Sequence, residues 1–272
     1  MPDFVYLLQT LADAHLVVVE HGDPAGPRVD VYETTRQFAR EQLEASGQAD
    51  VVFGHLCDWA LDLVERAEDG LMTGEQLAWL DRLERELPNL RLLGRRLTAS
   101  PTADDHEASL RLAAALQRFW DIRSRWAEGA TWLREALARP GGDAAVRAKA
   151  HKALGVMYRC LGDLDDAEVE VEQAIALNDL AGDVVAGAAC LNNQGIIALD
   201  RAYYARAATL LGRALALCDA LGEDRHGGLV LNNLGLVMTE LGELRTALRL
   251  CRRSREVLAV RGNVASQCWA YD

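Results

Sequence analysis

Asparagine pairs recur in this sequence at a fixed interval: Asn192-Asn193 is followed 40 residues later by Asn232-Asn233. An asparagine side chain carries both a donor and an acceptor. Amides repeated at a constant period could therefore hold an extended peptide backbone without reading its side chains. At about 100° per residue of helix, each pair shares a face with further groups. Around the first pair these are Ala189, Ile196 and Asp200; around the second they are Leu229, Leu236 and Glu240. The place 40 residues before the first pair holds Lys152-Ala153, with Lys149, Val156 and Cys160 on the same face. Lys149 and Lys152 set against Asp200 and Glu240 would grade the charge along such a surface. A competing reading uses one asparagine of each pair for a hydrogen bond between neighbouring helices.

No other constellation has the spacing that catalysis needs. His55 and Cys57 would project about 200° apart on a helix, which argues against a shared metal. His106-Glu107 lacks the second histidine of a zinc-protease helix, and His15, His21, His151 and His226 stand alone. Asp104-Asp105 and Asp165-Asp166 read as helix starts, where the macrodipole favours acids. Arg82, Glu84, Arg85 and Glu86 interleave as on a solvated helix face. No G-x-x-x-x-G-K-[ST] loop is present to cradle a phosphate, and the 22–26 loop reads as a hairpin tip. Cysteines 57, 160, 190, 218, 251 and 268 include no C-x-x-C pair and read as buried thiols of a reducing compartment. The expectation is a binding protein with no catalytic residue, no cofactor and no metal.

Composition points the same way. The chain has 272 residues, half of them hydrophobic, so it can bury a core. Its net charge of −12 argues against gripping a nucleic-acid backbone. Arginine supplies nearly all the positive charge, and Lys149 and Lys152 are the only lysines. No apolar run is long enough to span a bilayer, and the start lacks a secretory signal pattern. These features fit a soluble, acidic, cytoplasmic chain without membrane contact.

The elements that would position the asparagines follow from small residues at the same period. Gly155, Gly195 and Gly235 are each followed 12 residues later by Ala167, Ala207 and Ala247, and 7 further on by Ala174, Ala214 and Ser254. Two antiparallel helices that cross closely admit only such residues at the contact. Leu161-Gly162-Asp163, Arg201-Ala202-Tyr203 and Leu241-Gly242-Glu243 mark the turn inside each unit, and Gly182-Asp183 and Gly222-Glu223 mark its end. The pattern resembles the tetratricopeptide repeat family, with small residues at positions 8, 20 and 27, although the unit is 40 residues rather than the usual 34. The resemblance implies that the first helices line a concave groove. The face carrying Lys149, Lys152, Val156, Asn192, Asn193, Ile196, Asp200, Asn232, Asn233, Leu236 and Glu240 would then be its wall. A weaker unit is expected over 108–139, with helices at 113–120 and 126–137 and Trp120, Trp126 and Trp132 as packing residues. Gly262-Asn263 falls at the next turn, so 264–272 should begin a further first helix, left incomplete; either a longer native protein or a truncated gene is expected.

Residues 4–46 follow a different pattern. A helix is expected over 4–15, strands at Leu16-Val17-Val18-Val19-Glu20 and Val29-Asp30-Val31-Tyr32, and a helix capped by Thr34 or Thr35 that ends at Gly47. Helix, hairpin and helix resemble the later part of a winged helix. Leu16-Val17-Val18-Val19, the run from Val31-Tyr32-Glu33 to Glu41-Gln42-Leu43, and the stretch from Ala78-Trp79-Leu80 to Asn89-Leu90-Arg91 together resemble bacterial STAND-type signalling NTPases. These include AfsR-like and LuxR-like transcriptional regulators. The expected organisation is a partial winged helix over 1–48, a helical linker over 49–107 and repeats over 108–272: a mainly α chain, a tetratricopeptide-type α-solenoid preceded by one β-hairpin. The resemblance implies a regulatory sensor that takes a protein, peptide or small inducer in the groove and contacts an NTPase module outside this chain. A stand-alone adaptor joining two partners is the alternative.

Overall fold

The computed structural model describes residues 4–20 and 28–259, which divide between two compact units, Met1–Trp59 and Ala60–Asp272.

The first unit contains α1 (Phe4–Asp13), β1 (Val18–Glu20), β2 (Arg28–Asp30) and α2 (Glu33–Ala45), followed by the start of α3 (Ala49–Gly70). The strands pair antiparallel with Val19 opposite Val29. The first strand is shorter than expected because the backbone turns at His15, whose φ is +57°, and the Leu16 N–H bonds back to the Leu11 carbonyl. Neither Thr34 nor Thr35 caps α2. Tyr32 occupies the cap position without a side-chain bond. Arg36 ties the junction instead, bonding Glu33 at 2.8 Å and both Asp30 and the Val31 carbonyl at 3.0 Å. Among the described residues before Cys57 none is buried, and Val5, Tyr6 and Phe38 are exposed. The expected hairpin loop at 21–27 lies outside the described residues.

The second unit is a stack of helices. In α4 (Gln76–Ala99) leucines at 80, 83, 87, 90, 93 and 97 form a buried stripe at helical spacing. There follow α5 (Ala103–Ala115), α6 (Gln117–Ile122) and α7 (Trp126–Leu137). The expected helix over 113–120 is therefore broken between Ala115 and Gln117, while its partner at 126–137 forms as expected. The 107/108 boundary falls inside α5. Arg91 of α4 clamps Glu128 of α7 through two bonds of 2.7 and 2.9 Å. That hydrogen-bonded pair, opposed by partial burial, holds the Glu128 carboxyl below the ordinary glutamate range. A depressed carboxyl stabilises the fold above its unfolded pKa of about 4.3 and loses that contribution as pH falls through the lower folded value. Glu128→Gln is therefore expected to cost about 1 kcal/mol at pH 7, a value discounted for the solvent exposure of Arg91. The gap between variant and wild-type urea midpoints should close as pH falls well below 4. A gap that persisted there would remove the ion pair as its cause.

The three units of the repeat are hairpins of helices: α8 (Ala144–Leu161) with α9 (Leu164–Ala181), α10 (Val184–Asp200) with α11 (Tyr204–Leu221), and α12 (Asp224–Glu240) with α13 (Leu244–Ala259). A methyl group at Gly155, Gly195 or Gly235 would lie 2.6–2.7 Å from the side chain 16 residues on: Val171, Leu211 and Cys251 respectively. Ala167, Ala174, Ala207 and Ala214 are fully buried, and Ser254 donates its hydroxyl to the Gly228 carbonyl at 2.7 Å. Asp143 and Asp183 cap the helices that follow them, bonding the backbone N–H groups of Val146 and Ala186. Gly162 and Gly242 close their first helices in the left-handed conformation, and Ala202 does so in the middle unit at φ +58°. A Cβ is strained there. Ala202→Gly is expected to stabilise the protein by about 1 kcal/mol and to raise Tm by about 2–4 °C. An unchanged or lowered melting temperature would contradict the strain. Residues 260–272, which hold the expected turn at Gly262-Asn263 and the start of a further helix, lie outside the described residues.

Candidate functional site

The first helices of the three units, α8, α10 and α12, share the wall of a cavity of about 290 Å³. Lys152 and Val156 come from α8, Ala189, Asn192 and Asn193 from α10, and His226, Leu229 and Val230 from α12. The opposite side is closed by Glu68 at the end of α3, Met72 after it, and Gln117 and Arg118 on α6. A second cavity of about 380 Å³ adjoins it, since Lys152, Ala189 and His226 line both. Lys149, Asn178, Asp183 and Ala186 are among its other wall residues. Together they form one groove along the first-helix faces.

Five of the expected residues meet there: Lys149, Lys152, Val156, Asn192 and Asn193. Ile196, Asp200, Asn232, Asn233, Leu236 and Glu240 are not in the walls of these cavities. Asn233 donates from Nδ2 to Oδ1 of Asn192 at 2.9 Å, so the two amides link α10 to α12. This is the helix–helix use of the pairs. The bond engages one end of each amide, leaving the Asn192 N–H groups and the Asn233 carbonyl outside it. Two of the four charges expected to grade the groove have local partners. Lys149 Nζ lies 2.5 Å from Glu68, and Asp200 pairs with Arg159 at 3.2 Å.

Two cysteines lie on these first helices, Cys160 on α8 and Cys190 on α10. Burial pushes Cys160 and Cys190 up to about 11, and each has a polar neighbour, Asp121 at 3.6 Å and Asn178 at 3.4 Å. At neutral pH such groups are protonated. Among the described residues no three His, Cys, Asp or Glu side chains are grouped to hold a metal, and no helix is long and apolar enough to cross a membrane.

Glu68, Met72, Ala115, Gln117 and Arg118 are wall residues outside the three 40-residue units, and His226 belongs to the first turn of α12, ahead of the face carrying the asparagines.

No protein-family model matches the chain, and no curated protein matches it. Solved structures do. BtubC (BKLC) from P. vanneervenii is 19% identical with a TM-score of 0.55 over 76% of this chain and 91% of that one. A kinesin-light-chain-like protein of Podosopora anserina with nearly identical TPR-like repeats is 16% identical with a TM-score of 0.52 over 76% and 97%. The Rap conjugation gene regulator of plasmid pLS20, in complex with the Phr* peptide, is 16% identical with a TM-score of 0.51 over 78% and 72%. At these identities the likeness is one of fold. The chain is mainly α, a tetratricopeptide-type α-solenoid with a small two-stranded sheet near its start.

Proposed function

We propose that this chain is a non-catalytic interaction and sensor module that binds a peptide or peptide-like segment of a protein in the groove formed by α8, α10 and α12. The observation that carries this reading is the continuity of that groove. Two adjoining cavities run across three successive first helices, with amides and lysine ammonium groups along the walls. An extended chain needs a surface of this kind, on which donors and acceptors recur along its length. The peptide held by the Rap regulator, a protein of similar fold, adds support.

The finer setting rests on the sequence. The order of hairpin segment, leucine-striped helix and repeats resembles STAND-type regulators, so we place the module within a signalling ATPase that controls transcription. Occupation of the groove would shift an equilibrium between two arrangements of the larger regulator by favouring one of them.

Selection of short peptides from a random phage-displayed library against the purified chain tests the reading. Enriched peptides should bind with micromolar affinity, and Asn193→Ala should weaken them about tenfold through loss of a backbone-directed amide. The melting temperature should be unchanged. Failure to enrich any peptide, or binding indifferent to Asn193, would overturn it.

A further inference from the structure

We propose that the groove selects acidic segments, whose carboxylates take the place that Glu68 now occupies on Lys149 and extend to Lys152. This rests on the groove being a peptide site and names the chemistry of its occupant.

The first observation is the distribution of charge. The chain carries a net charge of −12, yet its two lysines stand three residues apart on α8 and both line the groove. Arg118 enters the same wall from α6. Among the described residues, two acids line these cavities beside the cations. Asp183 is committed to the start of α10, where its carboxylate accepts from the Ala186 N–H at 2.9 Å. Glu68 is the other. An acidic protein that gathers cations into one concave surface concentrates the field there, because the low-dielectric walls focus it.

The second observation is Glu68 itself. Its carboxylate meets the Lys149 ammonium at 2.5 Å, and both side chains remain about one-third exposed. The contact joins residues 81 apart in sequence, so it is made by the fold and not by helix geometry. A carboxylate already seated on the groove lysine shows which chemistry that position accepts. Partial exposure makes the pair exchangeable, since an ion pair open to water contributes little that an incoming carboxylate cannot replace. Lysine suits this exchange better than arginine. Its compact charge on a flexible stem imposes no bidentate geometry, so a carboxylate can be accepted at several depths along an extended chain.

Calorimetric titration of the full chain with three short peptides tests the proposal. They alternate alanine with glutamate, glutamine or lysine. At low salt the glutamate peptide should bind about tenfold more tightly than the glutamine peptide, with the advantage shrinking as salt rises toward about 0.3 M. Lys152→Gln should remove most of that advantage and Lys152→Arg should retain it. Glu68→Gln removes the internal competitor and should tighten the glutamate peptide severalfold. Because Glu68 is partly exposed, that variant should melt as the wild type does.

Equal binding of the glutamate and glutamine peptides would overturn the acidic preference while leaving the peptide groove intact. Weaker binding after Glu68→Gln would overturn the exchange. Displacement of the glutamate peptide by millimolar inorganic phosphate alone would assign the lysines to a phosphate site instead. Binding of none of the three, together with an unproductive library selection, would sink both readings.

Discussion

Trp120→Ala is expected to destabilise the repeat region by about 3–5 kcal/mol, the range for removing a large aromatic from a packed core. Trp120 is fully buried on α6, a helix of only six residues that has little stability of its own. Its ring packs edge-on against Trp132 of α7, with centroids 5.6 Å apart and planes at 73°. Gly129 of α7 leaves room for it: a methyl group there would lie 2.7 Å from the indole and 2.9 Å from the Met157 sulfur of α8. One side chain thus docks α6 onto α7 beside the first helix of the next unit. The residues just before it, Gln117 and Arg118, form part of the groove wall. Loss of Trp120 should therefore weaken groove ligands as well as stability. The indole Nε1 is buried without a hydrogen-bond partner, so Trp120→Phe deletes a donor that gains nothing from its surroundings. That variant should cost far less, about 1 kcal/mol. Urea unfolding of both variants separates the two effects. A wild-type midpoint for Trp120→Ala would show that α6 is not held by this ring.

The second large effect contrasts two glycines of one helix. Gly195→Leu should cost about 3 kcal/mol, because the new side chain must enter space already filled by Leu211. Gly187, eight residues earlier on α10, has nothing within 4 Å of where a Cβ would stand. Gly187→Ala should instead stabilise the protein by about 0.5–1 kcal/mol through the lower backbone entropy of alanine in a helix. Thermal melts of the pair, compared with the wild type, give opposite signs if the small-residue column marks a helix crossing. Two shifts of the same sign would reduce the column to coincidence.

Much of the solenoid was legible because its rules are local. Gly155, Gly195 and Gly235 meet residues only 16 positions away, inside their own hairpins, so a crossing that demands glycine leaves its mark every 40 residues. The left-handed turns at Gly162, Gly182, Gly222 and Gly242 are read in the same way. Legibility fell where a local rule had a competitor. Thr34 and Thr35 are good caps by type, but Arg36 already holds the strand–helix junction, and α2 starts earlier. Residues 113–120 have helical composition throughout, yet the chain breaks between Ala115 and Gln117, which lets Phe119 and Trp120 enter the core while Arg118 faces the groove.

By itself the sequence determined the period and the helix pairs, since both follow from which side chains fit within one unit. The tertiary structure alone decided the membership of the groove. Helical periodicity says that Asn192 and Asn233 point from equivalent faces, but not that the rotation between units would bring their amides within 2.9 Å of each other. Nor does it say that Glu68, Met72 and Arg118 would close the far wall, or that Lys149 would find its carboxylate 81 residues away. Those contacts depend on a small angle accumulated from one hairpin to the next, and no residue spacing records that angle.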